Sequence, residues 1–409
     1  MTSETALTPA MRQYRAAKDA HPDALLFFRM GDFYELFYED AVVAARELQL
    51  TLTARDKARS VPMCGVPYHA AGGYLQRLLR KGFKVAMCDQ MEDPKTAKTV
   101  VRREVTRVLT PGTALDAALG AGESQWLASV ASVGSGASAC VGVASIDLST
   151  GEFRATEFSG AQAWALATDE LARMNPAEML LARGAAFGGV ASRKQPTLSE
   201  NGDESAAFSE NESNAHDLGG ARTELDEWVF TEDYAIPLLR QQLRVHSLDG
   251  MGLSGHAAAS VAAGAIVHYL RATKQGALEH LDGLRFYEKR ESLELDAVSV
   301  RNLELVDPLF SSEGPQTTLL WTMDACSTPM GKRLLRSQLL RPMQSLDSIN
   351  ARLEAVALAA GDLRRREGLR RALDGVLDLE RLLGRVALDS AGPREVVSLG
   401  VTIGKLPGI

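Results

Sequence analysis

Residues 24–37 read ALLFFRMGDFYELF. Apolar and aromatic residues run on both sides of one interruption, Gly31-Asp32. Glycine enters left-handed backbone without a steric penalty, so it marks a turn or bulge inside an apolar run. The stretch predicts a strand, a turn at the glycine and a second extended piece. Side chains in extended backbone alternate with period two, which places Phe33 and Glu35 on one face. A flat ring beside a carboxylate suits an exposed nucleobase. The ring can wedge into a base step and unstack it. The carboxylate can accept a hydrogen bond from the base edge, or donate one when protonated. Near phosphates it is repelled, so it must face a base or carry a raised pKa. Weakly stacked or mispaired steps cost least to open. Taken alone, a core aromatic and an exposed strand glutamate are the simpler account of this pair.

Outward from this stretch, residues 8–22 and 38–48 have helical spacing. A polar loop with Pro62 and Pro67 follows, then a helix from Tyr74 to Lys81 ended by Gly82. Strands are expected over Phe83–Asp89 and Val100–Thr110, the latter closed by Pro111-Gly112. Residues 1–115 thus form a compact α/β unit. A linker rich in Gly, Ala and Ser occupies about 114–125. A second α/β unit opens with a strand over Cys140–Asp147. A turn at 149–151 leads into its hairpin partner. A helix over 160–174 stops at Asn175-Pro176, and a short strand spans Met179–Ala182. Residues 186–221 lose periodicity, and between Lys194 and Arg222 carry six acids and no Lys or Arg, the composition of a disordered acidic insertion. From about 222 the pattern becomes mainly helical. Helices are expected at 231–246, 255–273, 316–340 and 346–360, with a strand passing into a helix over 293–305. One last helix carries Leu373, Val376, Leu377, Leu383 and Val386 on a single face. No closing element is evident before Ile409, which reads as a truncation.

The chain has 409 residues, a length that suggests about three domains. Its formal charge is −7, which excludes a uniformly basic nucleic-acid coat. The charge is uneven: residues 1–115 carry 17 Lys/Arg against 13 Asp/Glu, and residues 54–107 hold twelve against five. A small basic unit on an acidic chain suits a local polyanion contact, although a solvated basic surface explains it too. No apolar stretch is long enough for a membrane span, and no secretory h-region opens the chain. The cysteines, Cys64, Cys88, Cys140 and Cys326, form no C-x-x-C pair. These features place the chain in a reducing compartment, the cytoplasm.

Other chemistries have weaker support. Asp147 on a central strand invites a nuclease reading, but two-metal chemistry needs several converging carboxylates. The histidines are scattered, and Cys64 with His69 is too small a set for zinc. Arg364, Arg365, Arg366, Arg370 and Arg371 most simply form a solvated helix face. No G-x-x-x-x-G-K-[ST] occurs, and the lysines of Gly331-Lys332 and Gly404-Lys405 are ordinary.

LLFFRMGDFYELFYEDA at 25–41 resembles the mismatch-reading domain of the MutS family of DNA mismatch repair proteins. Its Phe-x-Glu motif is matched by Phe33 and Glu35. Further matches are PMCGVPYHA at 62–70, GFKVAMCDQMEDP at 82–94, VTRVLTPGT at 105–113, DELARMNPAEML at 169–180, STPMGKRLLRSQLLRP at 327–342 and DLERLLGRVAL at 378–388. The resemblance implies a mixed-sheet reading domain over 1–115 and a ribonuclease-H-like connector over about 126–255, both α/β, followed from about 256 to 409 by a mainly α-helical core and lever region. It implies binding of double-stranded DNA containing mismatches or small loops, with Phe33 stacking on the base from the minor groove and Glu35 hydrogen-bonding it. A homodimer and a MutL-type repair partner are implied for the full-length family. ATP and Mg²⁺ are expected only for that family's ATPase domain, so no cofactor, metal or enzymatic activity is expected of this chain. The alternative is a protein-interaction fragment with little DNA affinity of its own.

Overall fold

A computed structural model describes residues 8–56, 60–92, 100–114, 123–134, 139–185, 220–273, 278–288, 292–310 and 312–409. Most of the acidic stretch and of the expected linker, with Lys57, Arg59, Lys95 and Lys98, lies outside the described residues. In the first unit, β1 (Ala24–Met30), β2 (Phe33–Phe37), β3 (Thr53–Ala54), β4 (Pro62–Pro67), β5 (Lys84–Gln90) and β6 (Arg103–Leu109) form one sheet, ordered β3-β4-β2-β1-β5-β6. Only β1 and β5 run parallel. The polar loop expected at Pro62–Pro67 is instead β4. Its prolines occupy the two ends of the strand, where a missing N–H is best tolerated, and Cys64 and Val66 are buried between them. Helices α1 (Pro9–Ala20), α2 (Tyr38–Leu48) and α3 (Ala71–Arg80) cover the sheet. Leu25, Phe27, Leu36, Val66 and Val85 face α2 and α3. Leu26, Phe28, Phe37 and Cys88 face α1 through Met11 and Tyr14. Lys18 Nζ donates to Asp40 Oδ1 at 2.9 Å and to the Ala24 carbonyl at 2.7 Å, while Asp40 Oδ2 accepts from Leu26 N at 2.9 Å. That clamp fixes α1 over one end of its face.

The second unit contains β7 (Trp126–Val133), β8 (Cys140–Asp147), β9 (Glu152–Ser159), β10 (Glu178–Ala182), β11 (Ala221–Leu225) and β12 (Arg285–Phe286), ordered β11-β10-β7-β8-β9-β12. β7, β8 and β9 are antiparallel, and β10 and β11 run parallel to β7. The first five strands thus stand in the order 3-2-1-4-5, the ribonuclease-H-like arrangement. Helix α4 (Ala163–Met174) covers one face, with Leu171 against Val141, Val143 and Phe158. Helices α5 (Glu232–Leu243) and α6 (Ala257–Ala272) belong to the core on the other face. The division expected at 255/256 therefore falls inside this unit. At Gly142 on β8, an added Cβ would lie 2.1 Å from the Ala258 backbone, so α6 rests directly on the sheet. An Ala-rich helix buried nearly all round gives no sequence signal of which unit it serves. The two units meet at Glu178, which is fully buried and accepts from Gly112 N at 3.0 Å, Thr223 Oγ1 at 2.6 Å and Tyr269 Oη at 2.7 Å.

The rest is helical: α7 (Ala297–Asn302), α8 (Leu319–Met323), α9 (Pro329–Leu340), α10 (Leu346–Gly361), α11 (Leu363–Leu373), α12 (Leu379–Ala387) and α13 (Pro393–Lys405). The helix expected over 316–340 is split, because Thr328 caps a new helix that starts on Pro329. The strand expected near 293 is reduced to a single bridge, Ser292 to Met343. The single last helix is broken at Gly375, which has φ +68°, and Asp378 caps α12 with its side chain. Helix α13 follows where no closing element was expected.

Candidate nucleic-acid interface

The β1–β2 hairpin turns through Gly31 in left-handed backbone (φ +60°), a conformation that costs other residues but not glycine. Met30 pairs with Phe33, Arg29 with Tyr34 and Phe28 with Glu35. Behind the turn, Tyr34 Oη donates to Asp89 Oδ1 at 2.6 Å, and Asp89 Oδ2 accepts from Thr106 Oγ1 at 2.7 Å. Burial, then the Asp89 carboxylate, push the Tyr34 phenol upward, so it stays a neutral donor. Arg29 donates from Nε to the Gly31 carbonyl and lies 3.6 Å above the Tyr68 ring. Tyr68 N donates to the Asp32 carbonyl at 2.9 Å. The tip is therefore braced by four contacts, Tyr34 to Asp89, Arg29 to Gly31 and to the Tyr68 ring, and Tyr68 to Asp32.

Phe33 and Glu35 lie on the front, the face that α1 covers elsewhere. Phe33 is 46% exposed, whereas Tyr34 is 6% and Leu36 0% exposed. The ring is not a core aromatic, and the alternation inferred from the sequence is realised. Glu35 pairs across the sheet with Gly65, which contributes no side chain; a Cβ there would stand 3.7 Å from Glu35 Cγ and 3.8 Å from Phe33 Cδ1. The ring and the carboxylate therefore border a clear strip of sheet. Partial burial raises the Glu35 pKa, while the positive charges of Arg55 and Arg103 pull it down, and burial prevails. A carboxyl readier than usual to take a proton suits work near phosphates.

Sequence reasoning did not single out Arg55 and Arg103. Arg103 lies 5.3 Å from the Phe28 ring centroid; its Nε donates to the Arg29 carbonyl at 2.7 Å and its Nη1 to the Val101 carbonyl at 2.9 Å. Arg55 lies 5.2 Å from the Phe37 ring centroid. Both belong to the basic run, but only the folded structure brings their charges near enough to act on Glu35. Other members are taken up elsewhere: Lys81 pairs with Glu47 at 2.8 Å and Lys84 with Asp23 at 2.9 Å.

Asp147 does not form an acidic centre. Its Oδ1 accepts from Ser149 N at 3.0 Å and Ser149 Oγ at 2.6 Å, and its Oδ2 from Gln125 N at 3.2 Å, so it organises the turn after β8. Among the described residues no group of three or more His, Cys, Asp or Glu could hold a metal ion. Lys332 pairs with Asp324 at 2.9 Å, and Lys405 caps the Asp374 carbonyl at 2.8 Å.

Family models described as MutS domain I, MutS domain II and MutS domain III match residues 8–118, 125–282 and 298–409, in that order. The chain belongs to the MutS family. The match to MutS domain II runs to 282 and so takes in α6, in agreement with the packing. Proteins named DNA mismatch repair protein MutS are similar along nearly the whole chain. That of Solibacter usitatus is 48% identical over 99% of this chain, and that of Alkaliphilus oremlandii 38% over 98%. That of Methanococcoides burtonii is 40% identical over 98% of this chain. The chain spans 43–44% of the length of these three relatives. Phe33, Glu35 and their flanking arginines all lie in MutS domain I. No helix among the described residues is long and apolar enough to cross a membrane.

Proposed function

We propose that this chain recognises mismatched or unpaired bases in double-stranded DNA. Phe33 enters the weakened base step from the minor groove, and Glu35 hydrogen-bonds the base it exposes. The observation that carries the reading is the half-exposed Phe33 ring beside a partly buried carboxyl, on a hairpin tip braced from behind. Unstacking one step costs a few kcal/mol, least at a mismatch, so the wedge discriminates by what the duplex charges for opening. Arg55 and Arg103 keep net charge near the carboxyl positive, which offsets its repulsion from the DNA backbone. ATP and Mg²⁺ are not assigned to these residues, which contain no P-loop sequence. A second copy of the chain and a MutL-type protein are the partners that family membership suggests.

The test is fluorescence anisotropy with a matched duplex and one carrying a single G·T pair. The wild-type chain should prefer the mismatch, and its affinity for both should fall as salt rises. Equal affinity for the two duplexes would remove the reading. A second reading, docking of protein by the helical region, is favoured by exposed apolar residues on α10, among them Leu346, Leu353 and Leu358. Absence of duplex binding at low salt would select it.

A further inference from the structure

Between the connector and the helical region lies a cleft of about 690 Å³. Three guanidinium groups converge on its wall: Arg154 of β9, Arg173 of α4 and Arg341, just beyond α9. Their side chains are 15%, 7% and 19% exposed. A single buried carboxylate, Glu170, serves two of them; it bonds Arg173 and Arg341 and also accepts from Tyr287 Oη at 2.6 Å. The ion pair of Arg154 is with Glu152, at 3.3 Å, whose side chain is about half exposed, and Glu170 acts on it from farther away. Otherwise Arg154 lies 3.9 Å from the Trp126 ring centroid, with Nε 3.4 Å from Ser145 Oγ. Arg173 Nε is buried and has no hydrogen-bond partner among the described residues.

Taking a guanidinium out of water is costly unless an anion answers it. Glu123, Glu152, Asp307 and Glu380 also line the cleft, with Glu380 taken up by Arg333 and Asp307 by Arg336. On the inner wall, however, three guanidinium groups are withdrawn around one interior carboxylate, Glu170, so the shortage of negative charge is confined to the ground about Arg154 and Arg173. Burial and the neighbouring Arg341 cation both press the Arg154 pKa below its ordinary value. At the lip, Arg336 is held only by the exposed Asp307 at 3.5 Å. Val300, Val306 and Leu340 supply an apolar side to the same space. The volume falls in the range that encloses small organic ligands. Planar guanidinium forks match phosphate oxygens in pairs.

We propose that this cleft is a binding site for a small phosphate-bearing anion, with Arg154 and Arg341 taking the phosphate oxygens and Arg336 closing on it from the lip. The site is separate from the Phe33 face, so it stands or falls independently of the mismatch reading. Two ligand sources share this chemistry, an inorganic phosphate and an organic phosphate ester whose body would lie on the apolar side.

The test is isothermal titration calorimetry of the full chain, at constant ionic strength, with inorganic pyrophosphate and separately with adenosine 5′-monophosphate. One-to-one binding of either probe is expected, tighter for the monophosphate if the apolar side is used. Arg154→Gln should weaken the tighter probe by at least about tenfold, the loss of one charge-assisted hydrogen bond. Because Arg154 is buried, Arg336→Gln at the lip is made as well; it should weaken binding while circular dichroism and melting stay as in the wild type. Arg364→Gln on the exposed α11 should change nothing. No heat from either probe, unchanged affinity in Arg336→Gln, or an equal loss in Arg364→Gln would each overturn the proposal.

Discussion

Replacing Tyr34 with Phe removes one oxygen atom and leaves the ring packing intact. The ring is 6% exposed and lies 6.0 Å from the Phe27 ring, so the change acts on the hydroxyl alone. That hydroxyl donates to the Asp89 carboxylate at 2.6 Å. A hydrogen bond to a charged group contributes about 1.5–3 kcal/mol. Asp89 keeps Thr106 Oγ1 at 2.7 Å on its other oxygen and is not orphaned, so the loss belongs near the lower bound, about 1.5 kcal/mol. The bond ties β2 to β5 behind Phe33, so the loss should appear locally, as easier opening of the hairpin. The assay is amide hydrogen exchange read by mass spectrometry. Peptides covering residues 24–37 should exchange roughly tenfold faster in Tyr34→Phe, while connector peptides keep their wild-type rates. The preference for a mismatched duplex should fall with it, because the wedge needs a stiff support. Unchanged exchange over 24–37 would refute the bracing argument.

Three further outcomes are expected. Because burial raises the Glu35 pKa, the carboxyl takes up a proton at higher pH than an exposed glutamate. Mismatch affinity should therefore strengthen as pH falls through that raised pKa, and the dependence should vanish in Glu35→Gln; a pH profile that is identical in the two proteins would contradict it. Gly142→Ala places a methyl 2.1 Å from the Ala258 backbone and should destabilise the connector by about 3 kcal/mol in urea unfolding followed by tryptophan fluorescence, whereas Gly283→Ala, which meets open space, should be neutral within about 0.5 kcal/mol. Asp147→Asn should lower connector stability by loosening the Ser149 turn, and neither protein should cleave DNA with added Mg²⁺; metal-dependent cleavage by the wild type that the substitution abolishes would restore the nuclease reading.

Period-two alternation made the Phe33–Glu35 face legible from the sequence, because each side of a strand declares itself by local spacing alone. The hairpin was legible too, since Gly31 punctuates an otherwise apolar run. What stayed hidden depends on partners distant in the chain. The charges of Arg55 and Arg103 come near Glu35 only in the folded chain, and no spacing rule singles them out from the basic run. The prolines of β4 read as a loop because their tolerance at strand ends is positional. The Ala-rich α6 belongs to the connector because Gly142 leaves room for its backbone, a fit with no sequence periodicity. The break in the last helix had a local signal, Asp374-Gly375 followed by Asp378, which the apolar stripe obscured.

If the Phe33 ring reads the duplex, removing it must erase the discrimination. The direct measurement compares Phe33→Ala with the wild-type chain in anisotropy titrations on matched and G·T-containing duplexes at one fixed salt concentration. The variant should bind both duplexes alike, near the wild-type affinity for the matched one. A variant that retains the full wild-type preference for the mismatch would contradict it.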